Sequence, residues 1–524
     1  MDRPAIGHLS TERPVSSVHP SPATSDQTAG EDIGAPADPS LAPSAPPPPA
    51  EPPAREDVSY SQVLANTHFR NILFSQFISN LGTWVEAFAI QMFVAKATGL
   101  IEDQGILGFC SLVPIFLFGT LGGLLADRVN RRTLLIVTQL MAGAVAGGVA
   151  VVSWMFDRGM FDSPRTAVNW LFILAAINGV VMAFNFPAWQ VLTPRLVPKS
   201  QLTRAIAMNG IQFNLARAIG PAVGGAILAA FTSTPLLIFN ACTFVMMAMV
   251  VMTTPDAPAP PRTGVPIIGQ LKQAWSFIIH QRGPRAVFFA QVLISFLAAP
   301  LVRLLSQYVI DVYHLAGNKP LATAGMVEGT VGPAALSAET AAGYLLAVQG
   351  IGAAIGGLAL RAIPVWYPKH HFIPLAISSL GLSIAIFALT TSVWAGYGVM
   401  FVVGFFWIWS FNQSWAAMQV LAPDDMRGRV LSITTVASFG STAVGSLLAG
   451  KGGQLLIDLK LMTPTHATQT VVAALGVPLF VGGLYMLMHR TPEVDGMPRM
   501  PQGTRPSRNI LHAALASEHN PRNR

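Results

Sequence analysis

About a dozen runs of roughly 20 apolar residues follow one another between Asn71 and His489, and each is the length a helix needs to cross the hydrocarbon core of a bilayer. No other feature limits the fold so strongly. Lipid offers no partner to a bare peptide group, so a spanning chain must be helical or close into a barrel. The runs are too long and too continuously apolar for barrel strands. With 52% hydrophobic and 11% charged residues, the chain reads as an all-α membrane protein with twelve transmembrane helices.

The formal net charge is +7, yet the cations cluster in short loops between apolar runs. There they act as orientation signals for the bilayer, and no nucleic-acid partner is expected. Cys110 and Cys242 lie inside predicted spans, and no disulfide framework or metal-ligand spacing is present, so no metal is expected. Residues 1–14 lack the basic then apolar profile of a cleaved signal peptide. A nucleophile and base pair, a phosphate loop and a metal cluster are all missing from the pattern, which argues against an enzyme.

Composition shifts divide the chain. Residues 1–66 form a Pro/Ala/Ser-rich tail with little to bury, read as disordered. A first six-helix bundle covers 67–253. A linker follows over 254–284, carrying an interfacial amphipathic helix over 266–280. A second six-helix bundle covers 285–490, and a mobile basic tail covers 491–524.

One loop is unusually charged. Residues 123–132 read Gly-Leu-Leu-Ala-Asp-Arg-Val-Asn-Arg-Arg, so Gly123, Asp127, Arg128, Asn130, Arg131 and Arg132 sit in a tight turn between the second and third spans. We read it as a charged latch at the membrane surface, with Asn130 taking a left-handed backbone in the turn.

Polar residues inside spans mark further candidates, since they must face other helices or water. In the first span, Gln76, Ser79, Asn80, Thr83, Glu86 and Gln91 fall on one arc, with Glu86 the only carboxylate well inside. The fourth span carries Asn178, Met182, Asn185 and Trp189 at helical spacing, where a cavity lining competes with interhelical hydrogen bonding. In the fifth, Arg217 lies one turn before Gly220, Pro221, Gly224 and Gly225, which permit a kink and close packing. A guanidinium at that depth needs a partner, and Glu86 is the candidate by type. The seventh span has Pro300, Arg303 and Gln307; the tenth carries Trp407, Ser410, Phe411, Ser414 and Met418 on one stripe, with helix packing as the competing reading. The Asn412-Gln-Ser414 glycosylation pattern falls within this span and is set aside.

A repeat organises the whole. Leu196-Val197-Pro198 followed by Arg204, and Leu421-Ala422-Pro423 followed by Arg429, are offset by 225 residues and put the first six spans in register with the last six. Parallel six-helix repeats about an axis along the membrane normal are the architecture of the major facilitator fold.

The motifs carry the same resemblance. The chain resembles major facilitator superfamily transporters, particularly the bacterial branch that includes enterobactin exporters and drug efflux proteins. Residues 123–132 are similar to the signature Gly-x-x-x-Asp-Arg-x-Gly-Arg-Arg, with Asn130 in place of its second glycine. Residues 220–225 match the fifth-helix antiporter core Gly-Pro-x-x-Gly-Gly. Residues 71–81, 214–221 and 423–430 also look like this branch. The fourth-helix arginine of many drug/proton antiporters is absent, Asn178 being the nearest polar residue, and Arg361 stands where the second-half motif has aspartate.

The resemblance implies a cavity between spans one, four, seven and ten, with the halves rocking to expose it alternately to each side. Gln76, Asn80, Thr83, Asn178, Asn185, Trp189, Arg303, Gln307, Trp407 and Ser414 are the candidate lining. Glu86 with Arg217 is the candidate proton-coupling pair. The expected function is export of a small amphipathic compound, a siderophore or drug, powered by the proton gradient without a cofactor. Uptake of a siderophore, metabolite or lysolipid by the same fold is the first alternative, and a non-transporting scaffold or sensor the second. The partners expected are the small-molecule substrate and the lipid bilayer. The chain is expected to act as a monomer in a bacterial inner membrane, with both termini cytoplasmic.

Overall fold

The computed structural model describes residues 59–126, 129–255, 267–315, 337–363, 368–489 and 491–495. Among these residues there is no strand, and twelve helices are long and apolar enough to cross a membrane. They are Thr67–Thr98, Ile101–Gly123, Arg131–Asp157, Pro164–Trp189, Arg204–Ala230 and Thr234–Met252 in the first half. The second half has Arg282–Asp311, Ala338–Ala362, Lys369–Ala388, Val393–Leu421, Arg427–Asp458 and Pro464–Met488. We number them as spans one to twelve.

Local sequence sets their ends. Asn66 caps span one by accepting from the Phe69 amide, and Gly99 ends it in a left-handed conformation at φ 66° that costs glycine nothing. Spans four and twelve open on Ser163-Pro164 and Thr463-Pro464, a capping hydroxyl followed by the one residue whose missing amide is no loss there. Span seven is two helices, Arg282–Leu297 and Ala299–Asp311, interrupted just before Pro300.

Asn130 departs from expectation. Its backbone is extended, at φ −62° and ψ 116°, and its side chain accepts from the Arg132 and Thr133 amides. It is the N-cap of span three, not a left-handed turn residue, because an Asn before a helix satisfies amides that have no intrahelical acceptor.

The two six-helix sets meet along two seams, span two against span eleven and span five against span eight. Small residues make the close approach. Gly105 and Gly450 stack backbone to backbone, as do Gly225 and Gly343, so that a side chain on any of the four would strike the opposite half. All four lie toward the end where span one finishes, called the far end below. At the other end, which carries Arg131, Arg132, Arg204, Arg427 and Arg429, the corresponding glycines Gly123, Gly210, Gly357 and Gly428 have nothing within 4 Å of where a side chain would start. The seams are tight at the far end and through the middle, where span two still meets Val436 of span eleven at Gly119, and part only over the last turns toward the basic end.

The helix Ile267–His280 follows span six in the chain and lies against spans seven and eleven. Ala274 and Ile278 are buried in the second-half core, and Trp275 meets Phe288 edge to face at 5.6 Å. A short turn, Pro492–Asp495, returns to the same region: Val494 is buried, and the Asp495 carboxylate accepts from the Lys369 amide at 2.6 Å and contacts His370.

Candidate substrate cavity and its far-end gate

Span one places its polar arc against spans five and six. Asn80 donates to Gln212 of span five at 3.1 Å, and Thr83 donates to its own Ser79 carbonyl at 2.9 Å. Gln76, one turn before Asn80, has a buried side-chain oxygen with no hydrogen bond. Glu86 turns to span six, where its buried carboxylate accepts from the Asn240 amide. Gly82, one turn earlier, lies against the same Asn240 and Thr243.

The expected Glu86–Arg217 pair therefore does not form. Arg217 sits between two faces of span five. Gly220 abuts Trp84 of span one and Ala218 abuts Gly350 of span eight, so the Arg217 side chain looks into the gap between those spans. Its Nε is buried and makes no hydrogen bond. Glu86 lies on the opposite flank of span one, satisfied by an amide.

In span seven, Arg303 runs past Gly108 of span two, its Cγ 3.6 Å from where a Cβ on that glycine would sit. No hydrogen bond or ion pair holds its guanidinium among the described residues. One turn on, Gln307 is fully buried and donates to the Gly99 carbonyl at 3.1 Å and to Asp311 at 2.8 Å. The Asp311 carboxylate is held from its other side by Thr468, 2.7 Å away.

Other expected lining residues serve packing. Asn185 donates to Thr138 of span three at 2.9 Å, and Trp189 packs into a cluster with Leu134, Met247 and Val251. Met182 packs with Ala142 and Phe244, so the face of span four that also carries the half-buried Asn178 is turned to spans three and six. In span ten, Ser410 and Ser414 are buried and return their hydroxyls to carbonyls one turn earlier, at 2.8 and 2.7 Å. Trp407 stacks on Phe411 with ring centroids 6.3 Å apart and packs on the second-half core. The structure thus sets Arg303 and Gln307 against the opposite half and Arg217 between spans one and eight, keeps Asn80 bonded within the first half, and leaves the span-four and span-ten stripes in helix packing.

The latch is divided. Asp127 and Arg128 lie outside the described residues. Arg131 is buried at the start of span three, and Arg132 donates to the Met252 carbonyl at the end of span six. Gly123 faces open space, while Gly122 makes the tight contact, against the Ala183 backbone. The Gly-Pro-x-x-Gly-Gly run works as close packing on both sides: Gly220 and Gly224 against Trp84 and Phe88, Pro221 and Gly225 against Gly343.

The far end has a fastening with no counterpart in the sequence expectations. Lys96, in the last turn of span one, pairs with Glu339, in the first turn of span eight, whose carboxylate is almost fully buried. Glu102 and Lys451 approach to 3.9 Å across the span two and eleven seam. Beside them, Arg165 grips Asp103 with both carboxylate oxygens at 2.6 Å, fixing span four to span two within one half.

The chain matches the transmembrane secretion effector family over residues 59–517. It belongs to that family of major facilitator transporters. It is 22% identical over 446 residues to the multidrug efflux pump Tap of Mycobacterium tuberculosis, covering 82% of this chain and 95% of that one. A shorter match to the staphyloferrin A transporter of Staphylococcus aureus is 28% identical over 176 residues, 33% of this chain and 43% of that one. The nucleoside transporter NupG shares the fold, with a TM-score of 0.58 at 14% identity over 80% of this chain and 98% of that one. Members of this family are multi-pass membrane transporters of small molecules, not enzymes.

Proposed function

We propose that the protein is a secondary active exporter that moves a small amphipathic compound, a siderophore or drug, by alternating access. The observation that carries the reading is the asymmetry of the seams: the halves are fastened by Lys96–Glu339 and Gln307–Gly99 at the far end and part toward the basic end. With the arginine-rich end cytoplasmic, as loop charge favours, this is a state loaded from the cytoplasm. The secretion family and the efflux relative support export over uptake.

The proton gradient supplies the energy in this reading, and Glu86 is the titrating group. It is a carboxyl well inside the first half whose partner is a neutral amide, and because a carboxylate without a cation is costly to hold inside a membrane, such a group is a candidate to take up and release a proton as the site opens to each side. Arg217 is then free for another role.

Transport into everted membrane vesicles tests the direction. Accumulation of a substrate in everted vesicles, abolished by a protonophore, is the expected result. Accumulation only in right-side-out vesicles establishes uptake instead, and accumulation indifferent to the protonophore removes proton coupling.

A further inference from the structure

Glu86, Arg217 and Arg303 each lie at least two turns inside the described spans. The single carboxylate is occupied by Asn240 and turned to span six. The two guanidiniums belong to different halves, Arg217 set between spans one and eight and Arg303 alongside span two. No carboxylate pairs with either among the described residues, and the Arg217 Nε is buried without any acceptor. Cations inside a membrane protein normally pair with counter-charges or with backbone carbonyls. Here the fold keeps two and, among the described residues, supplies no anion.

We propose that the anion comes from the substrate, and that this transporter carries small organic anions bearing carboxylate or similar oxyanion groups, with Arg217 and Arg303 as their two anchors. The guanidinium suits the task because its planar fork takes two oxygens of one carboxylate and stays charged at any physiological pH. Holding one anchor on each half gives the bound anion a structural consequence: it bridges the two halves, and rocking changes the spacing of its anchors. On span one, Gln76 offers an unsatisfied buried oxygen and Asn80 an amide already shared with Gln212. This inference names the substrate class of the exporter proposed above and rests on that reading only for the direction of movement.

Two xanthene dyes of similar size and opposite charge, carboxyfluorescein and rhodamine 6G, make the test. Binding is measured on the purified full-length protein, and transport on everted vesicles. The wild type is expected to bind carboxyfluorescein at least tenfold more tightly than rhodamine 6G. Arg217→Gln and Arg303→Gln should each weaken carboxyfluorescein binding by about tenfold, about 1.4 kcal/mol, with rhodamine binding unchanged. Arg→Lys at either position should restore part of the loss, since the charge returns without the fork. Thermal unfolding of each variant separates lost binding from lost folding. Tighter binding of rhodamine 6G, no binding of either dye, or carboxyfluorescein binding that survives the folded double Arg→Gln variant overturns the proposal. Rhodamine accumulation in vesicles with carboxyfluorescein refused overturns the anion class and leaves export standing. Carboxyfluorescein bound with the expected arginine dependence but never accumulated leaves the anion site standing and removes export.

Discussion

Lys96 and Glu339 join the two halves of the molecule at the far end, an ammonium from the last turn of span one meeting a buried carboxylate from the first turn of span eight. Glu339 also forms part of the glycine crossing, since its carbonyl lies against Gly225. Charge and close packing therefore close the same point. Because Lys96 remains a fifth exposed, the pair is worth less than a fully buried one, about 1–3 kcal/mol between the surface and interior limits. Glu339→Gln should raise labelling of a cysteine placed at the buried Ser306 by an impermeant maleimide about tenfold, in a background with Cys110 and Cys242 replaced by serine. The double swap Lys96→Glu with Glu339→Lys should return labelling toward the wild-type level, and failure of the swap to do so would show that the pair's charge is not what closes this end.

The Glu86–Asn240 contact separates folding from coupling. Asn240→Leu leaves a buried carboxyl without its donor and should lower stability by about 1–3 kcal/mol, read as a fall in the thermal midpoint. Glu86→Gln keeps an acceptor for Asn240, so its midpoint should stay near that of the wild type while proton-driven transport is lost. Full proton-driven transport in Glu86→Gln would take Glu86 out of the coupling scheme.

The glycines give an internally controlled pair. A Cβ at Gly343 falls 2.5 Å from the Pro221 carbonyl oxygen, so Gly343→Leu should cost about 1–3 kcal/mol and disfavour closure of the far end. Gly357, also on span eight, faces open space, and Gly357→Ala should be neutral or stabilising by about 0.5–1 kcal/mol through reduced freedom of the unfolded chain. Equal effects at the two positions would mean that the crossing does not bear on the closed state.

Asp127 is expected to act in the opposite state. At the basic end the halves are apart, so an Asp127 contact with the start of span eleven, favoured by the positive end of that helix, belongs to the conformation in which this end closes. Asp127→Asn should lower transport several-fold and leave both the thermal midpoint and substrate binding near wild type. Unchanged transport rates in proteoliposomes would remove the latch from the mechanism.

The spans, their number and the polar arc of span one were legible in the sequence because hydropathy and helical period depend only on residues near one another in the chain. What period cannot give is the neighbour. The stripe through Asn185 and Trp189 was visible, but only the structure shows that Thr138 and Met247 cover it. Glu86 was visible as costly, whereas Asn240, a lone amide in an apolar run, carried no sign of being its partner. Asn130 was misread because the same side chain that tolerates a left-handed turn also caps a helix. Lys96 and Glu339 sit where span ends meet water, so each reads alone as an ordinary surface charge, and their pairing depends on how spans one and eight cross.

Alternating access itself is tested most directly by two distances measured in one protein. Spin labels at Met160 and Leu461, both exposed in far-end loops of opposite halves, report that end, and labels at Leu125 and Gly428 report the basic end. The account predicts a short far-end and a long basic-end distance in the wild type, and a Glu339→Gln population in which the first lengthens as the second shortens. Distances that lengthen together, or a basic-end distance that stays fixed while the far end opens, would contradict a rocking motion of the two halves.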